Sequence, residues 1–287
     1  MIPVPFEYAR ATSVDDALAK MAASGGDAKF IAGGHSLVPL MKLRLSEPKL
    51  LIDIARIPGL SGIREKDGQI EIGAGTVHHE VAASPVLRVR CPMIAEAAAQ
   101  IGDPQVRNRG TIGGTLAHAD PAADYPAVML ALDAEIHMRG PNGARSVRAS
   151  SFFLDLFTVD LAPNEIITSV QFTPVRAAAY AKLHQRASHF AIVGAAAALE
   201  VSDGTIRSAR VGLTGAAPAA IRLKSVEQAL AGRPSSAQTI AAAAERAAND
   251  LSVVNSDIHA SADYRRAMAG VFTKRALEAA LERSMAG

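Results

Sequence analysis

The sequence predicts an α+β protein of two domains, on three observations. The chain has 287 residues, long for one compact core and comfortable for two. Three turn signals, Asp67-Gly68, Pro141-Asn142-Gly143 and Asp203-Gly204, interrupt stretches that read as antiparallel strands. Helical segments with their own start and stop residues lie at both ends of the chain.

Taken in order, Ser13 can cap a first helix, with Asp15 and Asp16 at its positive end and Ala17, Leu18 and Met21 as its buried stripe. Gly25-Gly26 stops it. Lys29–Ala32 reads as a short strand running into Gly33-Gly34, and Leu50–Ile54 as a second buried strand. This opening is a small α/β unit. From Ile63 the pattern changes: Ile70, Ile72 and Ala74 alternate with Glu71 and Gly73, as a strand requires. Pro92–Ile101 and Pro126–Leu132 read as helices. Glu135–Arg139 pairs with Ala144–Arg148 across a hairpin, and Glu165–Phe172 is a further strand.

Pro174 and the Ala-rich stretch after it mark a boundary. The expected domains are therefore 1–176, with subdomains of about 1–56 and 57–176, and 177–287. Beyond the boundary, Ile192–Val201 and Ile206–Leu213 form a hairpin. Three helices follow: one opened by Ser225 with Gln228 as a capping box, one over Thr239–Ala248, and one from Ser261 to about Met285. The C-terminal part reads as an antiparallel sheet covered by helices.

Composition narrows the function. Net charge is +2, and Lys and Arg are dispersed, which gives no support to a nucleic-acid or membrane-surface role. Cys91 is the single cysteine, so the chain can build neither an internal disulfide nor a four-thiolate cluster. Preceding Pro92, it reads as inert packing. The first residues lack a signal-peptide pattern and no apolar run reaches membrane-span length, so a cytoplasmic protein is expected.

Two glycine pairs stand out. In Ala32-Gly33-Gly34-His35-Ser36 a strand ends in two residues without Cβ atoms, which lets the backbone approach a ligand and gather its N–H groups around an anion. Thr111-Ile112-Gly113-Gly114-Thr115 repeats the device between two hydroxyls. Each alone reads equally as a tight structural turn. Together they suit a ligand with two phosphates. Neither is a G-x-G-x-x-G fingerprint or a Walker loop, and Val38 stands where a nucleophile elbow needs glycine. His118, Asp120 and Asp124 match no standard metal spacing; a loop Asp capping the next helix is the simpler reading. His78-His79 reads as a surface or capping pair. No catalytic acid–base pair emerges, and no metal site is assigned.

At these residues the chain resembles a known family. Ala32–Ser36 followed by Leu37-Val38-Pro39-Leu40-Met41-Lys42, and Thr111–Thr115 followed by Leu116-Ala117-His118-Ala119-Asp120-Pro121, are similar to the two flavin motifs in the medium subunit of molybdenum hydroxylases of the carbon monoxide dehydrogenase type. Pro5–Tyr8, Asp103–Asn108 and Tyr264–Met268 fit as well, so the resemblance spans the chain.

It implies a two-subdomain FAD-binding domain of the vanillyl-alcohol oxidase and p-cresol methylhydroxylase type, then a separate C-terminal domain. It implies that Ala32, Gly33, Gly34, His35 and Ser36, with Thr111, Ile112, Gly113, Gly114 and Thr115, wrap the diphosphate and ribityl part of FAD. Asp120 belongs to the second motif. Asp124 matches an acidic contact, Ile101 and Ile167 apolar walls, and Lys182 a basic contact near the flavin. Phe190 falls where relatives place a Tyr, keeping the packing without the hydroxyl. Thr115 stands where Asn is common.

The implied partners are a large molybdenum-cofactor subunit and a small subunit with two [2Fe-2S] clusters, in a dimer of heterotrimers, with electrons leaving FAD to an external acceptor. The hydroxybenzoyl-CoA reductase branch, which adds a cluster loop, is disfavoured by the single cysteine. A stand-alone FAD-dependent oxidoreductase of the same fold is the alternative, and a cofactor-free interaction module a third reading.

Overall fold

The computed structural model describes residues 2–285. Three sheets organise it. The first is parallel, in the order Glu7–Arg10, Leu50–Asp53, Ala28–Ile31. The helix Val14–Ala23 connects two of these strands, and Ser13 Oγ accepts from the Asp16 N–H at 3.0 Å, as the capping signal predicts. Ala17, Met21, Ala28 and Ile52 fill a small core between helix and sheet.

The second sheet is antiparallel, in the order Ile63–Lys66, Gln69–Gly73, Ile166–Phe172, Glu135–Gly140, Gly143–Arg148. The Asp67-Gly68 turn has positive φ at both residues, the backbone that a two-residue hairpin requires. Between its strands the chain inserts a run of helices, including Pro92–Ala99, Ile112–His118 and Tyr125–Leu132. They bury Ile94, Leu116, Val128 and Met129 against Ile70, Ile72 and Val170.

The third sheet takes Ala178–His184, Ala191–Ser202, Thr205–Thr214 and Ile221–Arg222 in that order, with Arg233–Pro234 beside the third of these. Both of its faces are covered. Ala178, Tyr180, Ala196 and Ala198 join the core of the preceding domain. Ala179, Ala195 and Ala197 point the other way, onto Phe272, Ala276 and Leu277 of the helix Ala262–Met285. Period-two side chains buried on both faces read in the sequence as an unbroken apolar run. The small residues let layers come close: a Cβ on Gly212 would overlap the Ala127 carbonyl. The helix Tyr125–Leu132, held between the two domains, is buried on every side.

Several sequence expectations need correction. Ser225 does not cap a helix. The helix is Lys224–Leu230, and Ser225 instead bonds Asp250 through its N–H at 2.9 Å and its hydroxyl at 3.0 Å. The expected Thr239–Ala248 helix is α only over Ala237–Ala244 and tightens to a 3-10 turn over Glu245–Asp250. The Ala-rich stretch after Pro174 enters the Ala178–His184 strand. His78 is buried, 3% exposed, while His79 faces outward. Packing beneath the second glycine loop, not a local signal, decides that difference.

Candidate functional site

The two glycine loops meet at one cleft. Its volume is about 680 Å³ and it opens between the parallel sheet and the second subdomain. Ala32, Gly33 and Gly34 line it from one side, and Thr111, Gly113 and Gly114 from the other. Leu37, Leu40, Ile166 and Ile167 supply apolar wall, and Ala117, His118 and Phe157 close one flank.

The first loop follows the strand Ala28–Ile31 and turns into the short helix Leu37–Lys42. Gly34 sits at φ +75°, a conformation that favours glycine. Gly33 packs on the second subdomain so closely that a Cβ would overlap the Arg109 carbonyl. His35 Nε2 lies 3.2 Å from the Gln105 carbonyl oxygen, a second tie between the loops. Among the described residues, no protein acceptor receives the N–H groups of Gly33, Gly34, His35 or Ser36. Successive free amides, those of Gly33 and Gly34 on cleft-lining residues, suit an anion.

The second loop is the start of the helix Ile112–His118. Thr111 Oγ1 accepts from the Gly114 N–H at 3.1 Å, and the Gly113 N–H is spent on the Ala74 carbonyl at 2.8 Å. Thr115 turns its hydroxyl back onto the Thr111 carbonyl at 3.2 Å. The segment leading in is clamped by Arg107, which donates to the Ile101 and Gly102 carbonyls at 3.0 and 2.8 Å. Below lies His78. Its backbone N–H bonds the Gly110 carbonyl at 3.0 Å, and burial first, then the neighbouring His35 and Arg107, press its pKa from 6.5 to about 4.

Of the sequence-selected residues, Ala32, Gly33, Gly34, Thr111, Gly113, Gly114 and Ile167 line the cleft. Ile112 is fully buried beneath it. His35, Ser36, Ile101, Thr115, Asp120, Asp124, Lys182 and Phe190 lie outside its lining. Asp120 accepts from the Ala122 N–H at 2.8 Å and shapes its own loop. Asp124 caps no helix through its side chain. It is buried, paired with Lys182 Nζ at 2.8 Å and receiving the Tyr180 hydroxyl at 2.6 Å. Lys182 Nζ also donates to the Gln100 carbonyl at 3.0 Å, beside Ile101. Phe190 is about half exposed, just before the strand Ala191–Ser202. His118, weighed in the sequence as a metal ligand and as part of the second flavin motif, lines the cleft. Phe157 had no signal in the sequence. Among the described residues no cluster of three metal-ligating side chains occurs, and no helix is long and apolar enough to cross a membrane.

A cleft lined by two glycine loops between two subdomains is of a form that suits a dinucleotide. The comparisons make the class specific. Residues 4–174 match the family described as FAD binding domain in molybdopterin dehydrogenase, and residues 178–280 the CO dehydrogenase flavoprotein C-terminal domain. The chain is 43% identical to the carbon monoxide dehydrogenase medium chain of Hydrogenophaga pseudoflava, covering 99% of both. It is 41% identical to the 6-hydroxypseudooxynicotine dehydrogenase complex subunit alpha of Paenarthrobacter nicotinovorans, covering 99% of this chain and 97% of that one. A solved Hydrogenophaga pseudoflava carbon monoxide dehydrogenase, lacking the Mo-pyranopterin moiety of its cofactor, superposes with a TM-score of 0.94 at 44% identity over 99% of each chain.

The chain therefore belongs to the family of FAD-binding medium subunits of molybdenum hydroxylases. It is an oxidoreductase flavoprotein, and its cofactor is FAD.

Proposed function

We propose that this chain is the electron-exit subunit of a molybdenum-containing hydroxylase. It takes electrons from the [2Fe-2S] clusters of a small partner subunit, which a large molybdenum-cofactor subunit supplies, and passes them to an external acceptor. The assembly is a dimer of heterotrimers. The observation that carries the reading is the convergence of both glycine loops on one cleft, where the Gly33 and Gly34 amides are free. The single cysteine puts any iron–sulfur cluster on another chain.

FAD, when bound, supplies exchange of one or two electrons. The work of this chain is to hold and orient it. Ala32–Ser36 and Thr111–Thr115 take the diphosphate and ribityl part, with amides of the first loop as donors. Leu37, Leu40 and Ile167 give the cleft apolar walls against which the cofactor packs. Ile101, Asp120, Asp124, Lys182 and Phe190, outside this cleft, are proposed as further cofactor contacts on the family resemblance. The Asp124–Lys182 pair fixes the chain next to Ile101 through the Gln100 carbonyl.

The test is the visible spectrum of the purified chain after incubation with FAD and removal of free cofactor, repeated with the partner subunits added. Stoichiometric flavin, reduced by the substrate of the large subunit only when both partners are present, is expected. A complex that assembles and turns over without flavin on this chain would sink the proposal.

A further inference from the structure

Phe157 occupies a backbone conformation that costs a bulky side chain energy. It sits at φ +50° in the two-residue turn between the strands Phe153–Asp155 and Thr158–Val159, next to a register shift. Such a left-handed position at a bulged hairpin favours glycine or asparagine. Nothing in the local fold asks for an aromatic there. The two strands pair only with each other, and the Phe157 side chain is 52% exposed, so it fills no core. Its neighbours in the turn, Leu156 and Thr158, make the hairpin's own bonds: the Leu156 N–H donates to Asp155, and the Thr158 hydroxyl to the Leu156 carbonyl.

What Phe157 does touch is the cleft. It lines the cavity shared by the two glycine loops, and its ring lies 5.1 Å from that of His118, inclined at 42°. His118 is the last residue of the helix that Thr111 caps, so the ring pair is fixed to the same element as the second loop. Burial holds the His118 pKa below its ordinary value, which keeps the ring neutral near pH 7. A strained aromatic kept at a cavity rim, where relief needs only a smaller residue, marks a ligand contact.

We infer that Phe157, braced by His118, is a positioning residue that stacks on a planar heteroaromatic ring of the bound dinucleotide. The inference rests on the flavoprotein reading above. Both rings of FAD have the required chemistry, and loss of either stacking contact weakens binding.

Phe157→Gly separates this role from a merely structural one, because glycine relieves the turn. The full-length chain and its Phe157→Gly and Phe157→Tyr variants are titrated with FAD by flavin fluorescence, and their cofactor-free forms are melted. The expected result is that Phe157→Gly melts no lower than the parent yet binds FAD about tenfold more weakly, while Phe157→Tyr binds within about twofold. If the contact is to the isoalloxazine, the visible band of the Gly variant also shifts. If it is to the adenine, affinity changes with the band in place. Phe157→Gly binding FAD as tightly as the parent would overturn the inference. A parent chain that binds no FAD even with its partner subunits present would overturn the functional reading, and this one with it.

Discussion

Lys182 Nζ and an Asp124 carboxylate oxygen lie 2.8 Å apart, both side chains shut off from solvent, across the junction of the two domains. Lys182 belongs to the strand Ala178–His184, and Asp124 precedes the helix Tyr125–Leu132. Burial raises the Asp124 pKa above the usual carboxylate range even beside the lysine. Removing one partner leaves the other unpaired in a dry site, so Lys182→Met should cost about 3 kcal/mol in urea unfolding. The Asp124 carboxyl of that variant is most comfortable protonated. A raised folded-state pKa gives stability that is present at low pH and lost as pH rises through it, so the deficit should grow with pH. Lys182→Met combined with Asp124→Leu should recover at least half of it. A double variant as unstable as the sum of its parts would show that the two residues act independently.

His78 gives a second pH signature. Its folded pKa is about 4 against an ordinary 6.5, so the unfolded chain binds the proton more readily. Stability should be full above about pH 6.5 and fall by about 3 kcal/mol on acidification to pH 4. Urea midpoints measured across that window should show the loss in the parent and a smaller one in His78→Asn. Identical slopes would show that other groups set the acid limit.

The glycines of the two loops should fail in different ways. Gly33→Ala places a Cβ on the Arg109 carbonyl, so the subdomain contact itself must open, and both thermal stability and FAD binding should fall. A Cβ on Gly114 meets only the Thr111 hydroxyl, at 2.9 Å, and the helix it enters gains from alanine. Gly114→Ala should keep its melting temperature within a few degrees and still lose most of its FAD affinity, by equilibrium dialysis. Equal FAD affinity in Gly114→Ala and the parent would count against the placement of the diphosphate.

Cys91 is fully buried and its thiol is pushed up to about 11, chiefly by burial. With almost no thiolate at neutral pH it should resist Ellman's reagent in the folded chain and react at once in denaturant. Rapid labelling of native protein would mean that this region opens locally.

Where the signal is local, the sequence determines the structure. Ser13, Asp67-Gly68 and Asp203-Gly204 fix a helix start and two hairpin turns through capping bonds and positive-φ backbone that involve only neighbours in the chain. Each glycine pair reads in the sequence as a turn or a ligand loop alike, and only the fold brings Gly33, Gly34, Gly113 and Gly114 to one cleft. Long-range packing decides the rest. The same carboxylate that could cap a helix at Asp124 is claimed instead by Lys182 and Tyr180, far along the chain. His78 and His79 are indistinguishable in sequence, and one is buried only because Gly110 and Tyr125 cover it. The Ala178–His184 strand is invisible to alternation because helices cover both faces of its sheet. Phe157 and His118 become one wall only when a hairpin folds back on the helix that carries Gly113 and Gly114. Short-range hydrogen bonding and sterics are encoded residue by residue. Which distant groups share a cleft is set by how the buried surfaces fit together.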